Sequence, residues 1–417
     1  MTYFLGIDFG TSGARAIAID ADHTIAQTIT YSLAAQTPTA WQQTLFKLLD
    51  ALQQDIAKHL RAIAINGTSG TVLLCDAAGK PRSEALLYND DRGRSQLTQL
   101  ADLAPTGHLV QSATSSLAKL LWFQAEGFTD HAQYFLHQAD WLAGLLHGQW
   151  GISDYHNALK LGFDVEKCLY PAWLQSTSLF KLLPAVKTPG ASIGKISGAI
   201  ATQFQINPHC QIRAGTTDSI AAFMASGASK VGEAVTSLGS TLVVKLLSDR
   251  PVNDQAAGVY SHRFGQLWLT GGASNTGGAV LKHFFDEPAI RRLSDEINPH
   301  ISTGLAYYPL LKPGDRFPIN DPNLEPRLTP RPDGDRQFFQ GLLEGITHIE
   351  AMGYDKLQEL GAPKPTKIFT AGGGAQNPTW TTMRQKQFSC PVLISPNPEA
   401  AYGSARLAHH GNLNEWS

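Results

Sequence analysis

The chain is poor in cysteine, and its cysteines are far apart. They are Cys75, Cys168, Cys210 and Cys390. Because no Cys-x-x-Cys pair is present, the sequence predicts neither a redox pair nor a cysteine zinc site. We expect buried, reduced thiols in a reducing compartment. The fourteen histidines show no metal-ligand spacing either, and we expect His409 and His410 to be solvated.

A strong net charge and long apolar runs are also lacking. The formal net charge is -2 at pH 7, so the sequence shows no electrostatic footprint for nucleic acid and no basic cluster for a membrane surface. No apolar run is long enough to span a bilayer, and Asp8 interrupts the N-terminal segment before a signal-peptide core could form. We therefore expect a cytoplasmic protein without nucleic-acid or membrane partners.

The chain does have the length and the apolar content for more than one core. It has 417 residues, of which 43% are hydrophobic and 16% charged. This composition is typical of packed globular proteins rather than of disordered or fibrous ones. Since domains usually span roughly 100–200 residues, the length predicts two or three of them.

The first informative stretch lies close to the N-terminus and predicts a β-hairpin. Residues 3–7 are apolar and end at Asp8, a loop rich in Gly, Ser and Thr follows, and residues 15–20 predict a second strand. Two strands joined by a short loop of this kind form a hairpin. This excludes a P-loop and a Rossmann fingerprint, because both need a helix after their glycines.

The same stretch contains Asp8-Phe9-Gly10, the tripeptide that holds magnesium in protein kinases. Those enzymes carry a glycine loop, a strand lysine and a His-Arg-Asp loop well upstream of it. None of these elements precedes residue 8 here. We therefore interpret the tripeptide as a coincidence and not as a protein-kinase signature.

A similar unit occurs in the second half of the chain. Residues 234–245 again read strand, Gly-Ser-Thr loop, strand, with Gly10 aligned to Gly239 and Asp8 aligned to Ser237. The match is short, but its physical interpretation is a duplicated unit with one phosphate-binding hairpin in each half. Only the first loop carries a carboxylate, so we expect one half to hold a cation and a nucleotide to bind asymmetrically.

The remaining pattern indicates alternating strands and helices. We expect helices at 40–60, mainly at 116–148, at 279–285, 338–360 and 378–385, strands at 62–65, 211–214 and 367–370, and a long ordered loop at 308–335. Asn377 is expected to cap the 378–385 helix, with Pro378 in its first turn.

Five segments, in order along the chain, resemble the FGGY carbohydrate kinases of the actin-like ATPase superfamily. They are GIDFGTSGARA at the N-terminus, GTTDSIAAF at 215–223, SLGST at 237–241, GGASNTGGAVL at 271–281 and AGGGAQNPTW at 371–380. Together with supporting pieces they cover nearly the whole chain. Each motif alone is weak to moderate, whereas five in order form a specific signal.

The resemblance implies the fold and the reaction. We expect two duplicated α/β domains of ribonuclease-H-like build, at 1–227 for sugar and metal and at 228–417 for nucleotide, with the active site in the cleft between them. The implied activity is ATP-dependent phosphorylation of a small sugar with Mg²⁺ as the cation. We expect a monomer or a homodimer whose partners are the sugar and ATP.

The resemblance also assigns roles to residues. Asp218 is implied as the general base that takes the proton of the sugar hydroxyl, although the sequence around it fits a helix N-cap equally well. Asp8 at a strand end is the candidate for holding Mg²⁺, with a simple cap of the hairpin as the alternative. The expected ATP-binding residues are Gly10, Thr11, Ser12, Gly239, Ser240, Thr241, Gly278, Gly373, Gly374 and Asn377.

The sugar is the least determined part of the hypothesis. Within the family the chain resembles the xylulose and ribulose kinases, but where xylulose kinases carry a Met-His pair it has Thr68-Ser69. We therefore expect D-ribulose and assign Ser69 to the sugar, with a simple turn serine as the alternative. Asn89, Asp90 and Arg92 are weaker candidates, with solvated turn residues as the alternative. D-xylulose, another polyol, or an actin-like ATPase or sugar sensor without kinase turnover stay open.

Overall fold

The computed structural model describes residues 1–416, which form two compact units. The first contains Met1–Ala225 together with the segment from Glu399 onward, and the second is Ser226–Pro398. This differs from the single division at residue 227 expected from the sequence. The physical reason is that the last helix of the chain packs against strands and a helix of the first unit.

The first unit combines ten strands with nine α-helices before residue 226. Its strands are β1 Tyr3–Phe9, β2 Gly13–Ile19, β3 Ile25–Ser32, β4 Leu60–Gly67, β5 Val72–Cys75, β6 Tyr134–His137, β7 Ile152–Asp154, β8 Ala185–Lys187, β9 Ser192–Lys195 and β10 Gln211–Thr217. Its helices are α1 Pro38–Asp50, α2 Gln54–His59, α3 Leu97–Leu103, α4 Ser116–Ala125, α5 Gln138–His147, α6 Tyr155–Ala158, α7 Ala172–Gln175, α8 Gly198–Gln203 and α9 Asp218–Ala225.

The second unit has fewer and longer elements. Its strands are β11 Glu233–Leu238, β12 Leu242–Ser248, β13 Tyr260–Phe264, β14 Leu267–Ser274, β15 Lys367–Ala371 and β16 Val392–Ile394. Its helices are α10 Gly278–Phe284, α11 Glu287–Glu296, α12 Asp335–Glu359 and α13 Pro378–Gln387. The last helix of the chain, α14 Ala400–His410, belongs to the first unit.

Both units are built on a six-stranded mixed sheet with a shared central pattern. In the first unit the strand order is β3-β2-β1-β4-β10-β9, and in the second it is β13-β14-β12-β11-β15-β16. Each sheet has an antiparallel run, β1-β2-β3 or β11-β12-β14, beside a parallel run, β1-β4-β10 or β11-β15-β16. The predicted hairpins are therefore confirmed, and the repeated pattern is that of duplicated ribonuclease-H-like domains.

The two faces of the first sheet are covered differently. Alternate residues of β1, including Leu5 and Ile7, join a large apolar core with Trp41 of α1 and Trp141 of α5. On the opposite face Gly6 lets α14 approach, since a Cβ at Gly6 would lie 2.0 Å from the Ala401 carbonyl oxygen. Because side chains alternate along a strand, Asp8 lies on the α14 face with Gly6.

The helices of the second unit are attached to its sheet by a buried ion pair. Arg384 of α13 and Glu350 of α12 are both fully buried, with Nη2 and Oε1 2.6 Å apart. Arg384 also donates to Thr370 Oγ1 of β15, and Thr236 of β11 donates to Glu350. Since a buried charge is costly unless it is paired and hydrogen-bonded, this network fixes α12 and α13 against β11 and β15.

Most predicted elements are confirmed, with two corrections. The helix expected at 40–60 is interrupted between α1 and α2, where Ala51 and Leu52 form a turn. The mainly helical stretch expected at 116–148 contains β6, whose residues 134–137 pair with β5. The cause is the same in both regions: short apolar runs have no clear period, so tertiary pairing decides their structure.

The expectations for cysteines and histidines also need correction. Cys75, Cys210 and Cys390 are buried, but Cys168 is exposed. His409 is half-buried, with its ring centroid 4.4 Å from that of Phe4, so the prediction that both terminal histidines are solvated was wrong for His409. No helix within residues 1–416 has the length and hydropathy that crossing a membrane requires.

Candidate active site

Three parallel strands of the first unit end side by side and place polar groups at one sheet edge. Asp8 of β1 is in register with Asn66 of β4, and Asn66 is in register with Thr216 of β10. Asp218 follows directly as the first residue of α9. The carboxyl ends of neighbouring parallel strands are where open α/β sheets bind ligands, so this edge is the first candidate site.

The Asp8 carboxylate is largely desolvated and lacks a full set of partners. Its Oδ1 is buried and has no hydrogen-bond partner among residues 1–416. Burial, and secondarily the charge of Asp218, raises the pKa of Asp8 to about 7, while Arg15 acts in the opposite direction. A buried carboxylate oxygen without a donor is a group that a cation would stabilise. Asp8 therefore fits the predicted Mg²⁺ ligand.

Asp218 lies where the base of a phosphotransferase would be expected, at the junction of β10 and α9. It is half-buried, and its Oδ1 accepts a hydrogen bond from the backbone N–H of Ser219 at 2.7 Å. This local bond shows that Asp218 helps to begin α9. A carboxylate keeps further lone pairs when one is used in this way, so the N-terminal position and a role toward a ligand are compatible.

The loop after β4 contains Thr68 and Ser69, and their two hydroxyls differ in burial and in hydrogen-bond partners. Thr68 is buried, and its Oγ1 lies 2.6 Å from Thr71 Oγ1 and 3.2 Å from Gln138 Oε1. Ser69 is half-buried, and its hydroxyl has no hydrogen-bond partner among the described residues. The Thr68 hydroxyl is thus used inside the loop, whereas the Ser69 hydroxyl is available to a ligand.

A buried lysine that was not predicted from the sequence binds the backbone of this loop. Lys119 of α4 is fully buried, and its Nζ donates to the carbonyl oxygens of Gly70 at 2.8 Å and Leu87 at 2.6 Å. Burial lowers the pKa of Lys119 to about 7, and Asp90 partly opposes this shift. No sequence motif marks Lys119, because its partners are backbone carbonyls of distant segments.

The weaker candidates Asp90 and Arg92 bind each other. Arg92 Nη2 lies 2.7 Å from Asp90 Oδ2, Arg92 also pairs with Glu84, and its guanidinium lies 4.8 Å from the Trp122 ring centroid. The Arg92 hydrogen bonds help to lower the pKa of Asp90 despite the opposing effect of desolvation. We therefore assign these residues to the structure of this segment rather than to a ligand.

The first glycine hairpin presents side-chain hydroxyls to solvent, and hydrogen bonds within the first unit hold its backbone. Gly10 N–H donates to the Gly13 carbonyl at 3.0 Å, and the Gln36 amide donates to the carbonyls of Gly10 and Thr11. Thr11 and Ser12 are exposed. The loop is thus held by its own hydrogen bonds, and Thr11 and Ser12 offer hydroxyl donors, whereas the Gly10 N–H is already used.

The second unit contains a cavity of about 640 Å³ where its own strands end. Six predicted ATP-binding residues line it, namely Gly239, Ser240, Gly278, Gly373, Gly374 and Asn377. Thr241 is exposed and is not among the lining residues. Gly10, Thr11 and Ser12 lie in the first unit. The cavity has the size range of small-molecule and cofactor sites.

Close packing explains two of the glycines around this cavity. Gly278 N–H donates to the Gly239 carbonyl at 2.8 Å, and a Cβ at Gly278 would lie 2.7 Å from that oxygen. A Cβ at Gly374 would lie 2.6 Å from Leu238 Cβ, whereas a Cβ at Gly373 would meet nothing within 4 Å. Gly278 and Gly374 are therefore required by packing, and Gly373 leaves the cavity wall open.

One wall of the cavity was not predicted from the sequence. Helix α11 contributes Ile290, Arg291, Ser294 and Asp295. Ser294 Oγ accepts a hydrogen bond from Asn377 Nδ2 at 2.8 Å, while Asn377 Oδ1 accepts one from Trp380 N–H at 2.9 Å. The predicted cap by Asn377 is confirmed, and the same side chain fastens α13 to α11. The alternation of polar and apolar residues in α11 could have predicted a helix here. It could not have predicted which face of that helix borders a cavity.

These features define a class of protein before any relative is considered. Two ribonuclease-H-like units, one with paired carboxylates at its strand ends and one with a glycine-lined cavity, are the parts of an actin-like phosphotransferase. The model of the N-terminal domain of the FGGY family of carbohydrate kinases matches residues 3–225, and that of the C-terminal domain matches residues 234–411. The chain therefore belongs to the FGGY family of carbohydrate kinases, which implies ATP as the co-substrate.

Individual relatives are distant in sequence but extend over nearly the whole chain. A gluconokinase from Bacillus subtilis is 22% identical, covering 96% of this chain and 85% of that protein. A xylulose kinase from Escherichia coli is 25% identical, covering 97% and 89%. A crystal structure of a xyloylose kinase from Brucella ovis superposes with a TM-score of 0.87 at 21% identity, covering 97% and 90%. The similarity to the Brucella ovis structure is a similarity of fold alone.

Proposed function

We propose that this carbohydrate kinase transfers the γ-phosphoryl group of ATP to a hydroxyl of a small ketose, with D-ribulose as the preferred acceptor. The observation that carries the proposal is the set of groups at one sheet edge: Asp8, Asp218 and the available hydroxyl of Ser69. Phosphoryl transfer needs an aligned acceptor, a proton acceptor and neutralisation of developing charge. This edge supplies side chains suited to each requirement.

In this proposal Asp218 accepts the proton of the sugar hydroxyl as the oxygen attacks. A sugar hydroxyl is a weak nucleophile at neutral pH, and a positioned carboxylate accelerates such a step. Asp8 would hold Mg²⁺, which would supply positive charge to neutralise the transferring phosphates. The unpartnered Oδ1 of Asp8 supports this assignment.

The second unit is proposed to bind the nucleotide. Gly373, which leaves open space beside it, and Asn377, which is fixed by two hydrogen bonds, are the proposed adenosine contacts. Gly239 and Ser240 offer backbone N–H groups to phosphates. The exposed hydroxyls of Thr11 and Ser12 are proposed to serve the phosphates as well, because the hydrogen bonds of Gly10 and Gln36 hold this loop in place.

The preference for D-ribulose is based on the loop after β4. The Ser69 hydroxyl can bind a sugar hydroxyl of matching orientation, and an epimer would leave a polar group unpaired, a loss of about 1–3 kcal/mol. The Thr68 side chain cannot take this role, because its hydroxyl already binds Thr71 and Gln138.

A second candidate acceptor is a sugar acid such as gluconate, which the gluconokinase relative suggests. Lys160 lies near the same loop, since its Cδ is 3.8 Å from the position of a Cβ at Gly70. It has no ion-pair partner within residues 1–416, so it could neutralise a substrate carboxylate. Lys119 cannot do so because its Nζ binds two backbone carbonyls.

The test is a coupled ADP-release assay with D-ribulose, D-xylulose, gluconate and glycerol at equal low concentration. We expect the highest kcat/KM for D-ribulose, and Ser69→Ala should raise the sugar KM about tenfold with little change for ATP. The exposed Ser176 provides the control Ser176→Ala, which should behave as wild type. A faster reaction with D-xylulose would overturn the choice of ketose.

A matched variant separates the sugar-acid alternative. Lys160→Met should leave kcat/KM for D-ribulose within a few-fold of wild type if a neutral ketose is the substrate. If gluconate is the true acceptor, gluconate turnover should exceed that of every ketose and fall strongly in Lys160→Met. ATP turnover that does not depend on any sugar would contradict the kinase proposal itself.

A further inference from the structure

Three histidine side chains meet at the C-terminal end of α14, outside the site described above. His23 lies in the turn between β2 and β3, and His409 and His410 are the last two residues of α14. One potential ligand nitrogen from each ring lies within 4.8 Å of the other two. The spacing along the sequence gives no sign of this, because His23 is brought to the pair only by the fold.

We propose that His23, His409 and His410 form a binding site for a divalent transition-metal ion, with Zn²⁺ as the best fit. The ring centroids are 4.6 Å apart for His23 and His409, and 4.9 Å apart for the other two pairs. With Zn–N bonds of about 2.0–2.1 Å and tetrahedral angles, three imidazoles around one ion have centroids roughly 5 Å apart. The rings already have this spacing.

Two of the ring nitrogens in this cluster also lack hydrogen-bond partners among residues 1–416. Nδ1 of His23 and Nδ1 of His409 are both buried and have no hydrogen-bond partner in the described chain. A buried polar atom without a partner is rare in native proteins and calls for one, such as an ion. Two such atoms within one three-histidine cluster favour a metal over simple ring packing.

The turn that carries His23 is held in place rather than free. His23 has a φ of 63°, a left-handed conformation that is uncommon for residues other than glycine. Asp20 Oδ1 accepts hydrogen bonds from the N–H groups of Asp22 and Thr24, each at 2.9 Å, and Tyr402 donates to the His23 carbonyl at 3.2 Å. The backbone therefore holds the His23 ring against α14 without a ligand.

The surrounding charges are mixed but compatible with a cation. The C-terminal end of a helix carries partial negative charge, and Asp20 and Asp22 lie close enough to affect His23. Arg406 acts in the opposite direction on all three rings.

A bound ion would connect the β2–β3 turn to the end of α14. This helix covers β1 and contacts α9, the elements that carry Asp8 and Asp218. A Cβ at Gly403 of α14 would lie 1.8 Å from the Ala221 carbonyl of α9, so the two helices are in backbone contact. The ion would therefore stabilise the helix on which the first site rests without touching substrate.

The experiment uses untagged, chelator-treated full-length protein titrated with ZnCl₂ by calorimetry, and with Co²⁺ followed by visible absorption. We expect one Zn²⁺ per chain, a tetrahedral Co²⁺ spectrum and a higher Tm with Zn²⁺. His410→Ala, at an exposed position, and His23→Asn, which tolerates the left-handed turn, should each weaken Zn²⁺ binding at least tenfold. The exposed His209 gives the control His209→Asn, which should bind as wild type.

Additional measurements separate this site from the kinase site. Zn²⁺ binding should persist in Asp8→Asn, and His410→Ala should keep its Mg²⁺-dependent sugar turnover at a temperature where it is folded. If wild type binds no Zn²⁺, or if His410→Ala and His23→Asn bind it as tightly as wild type, the cluster is only an aromatic packing contact with Phe4. Loss of binding in His209→Asn would equally overturn the assignment.

Discussion

The two units share a strand order but differ in the side chains at their strand ends. In the first unit Asp8 is in register with Asn66, and in the second the matching positions hold Ser237 and Ala371. The first edge thus carries a carboxylate and an amide, and the second carries a small hydroxyl and a methyl group. If the proposed function is correct, one backbone pattern serves metal and sugar chemistry in one unit and nucleotide binding in the other.

The largest effect is expected from removing the proposed base of the first unit. Asp218→Asn keeps the size of the side chain and its ability to begin α9, but removes proton acceptance. Base catalysis contributes about 10²–10⁴-fold, so kcat should fall by that order, as measured by ADP release at saturating sugar and ATP.

The capping alternative makes the opposite forecast for the same variant. Because Asn is itself a good N-cap residue, an Asp218 that only begins α9 would be replaced without loss. A kcat within a few-fold of wild type in Asp218→Asn would remove this residue from the mechanism. Asp102→Asn, on another helix of the same unit, serves as the control.

The second prediction concerns how each unit fastens its helices. The second unit uses the buried pair Arg384–Glu350, whereas the first relies on backbone contact at Gly6 and Gly403. Arg384→Met would leave Glu350 buried without its partner, which typically costs about 3–5 kcal/mol. Denaturant unfolding should report this loss, and Arg384→Met with Glu350→Leu should recover much of it. Equal stability of Arg384→Met and wild type would contradict the role of the pair.

The sequence predicted the duplicated hairpins from their local strand–loop–strand pattern, whereas most of the glycines around the cavity were expected from the resemblance to the FGGY kinases. Gly278 and Gly374 are needed where strands and loops touch, and such constraints appear directly in the sequence. Lys119 and Lys160 could not be identified, since their positions depend on contacts between distant segments. The histidine cluster was not predicted from the sequence for the same reason. The packing of α14 against the first unit was not predicted either.

The third prediction uses pH to test whether Asp8 of the first hairpin binds a cation. The pKa of Asp8 rises from 3.8 to about 7 on folding, so its contribution to stability is full below the unfolded pKa and is lost as pH rises through 7. Without divalent cation, wild type should therefore lose unfolding free energy between about pH 4 and pH 7 relative to Asp8→Asn. Mg²⁺ at pH 8 should reduce this difference. Parallel pH curves, unaffected by Mg²⁺, would remove Asp8 as the cation ligand.

The smallest effect is expected from giving the second hairpin the charge of the first. A Cβ at Gly239 would lie 3.8 Å from Ser237 Oγ, so Ser237→Asp places a carboxylate beside the proposed phosphate loop. Like-charge repulsion should raise the KM for ATP about tenfold and leave the sugar KM nearly unchanged. Ser237→Ala is the control and should stay within a few-fold of wild type. An unchanged ATP KM in Ser237→Asp would place the phosphates elsewhere.

The central claim, a nucleotide site in the second unit and acid–base chemistry in the first, is tested most directly by calorimetric titration of a non-hydrolysable ATP analogue. Gly373→Val fills open space beside the cavity, and Gly198→Ala, also in open space but in the first unit, is its folding control. We predict at least tenfold weaker binding, about 1.4 kcal/mol, in Gly373→Val, and wild-type affinity in Asp218→Asn and Gly198→Ala. Wild-type affinity in Gly373→Val, or equal loss in Asp218→Asn, would contradict the division between the two units.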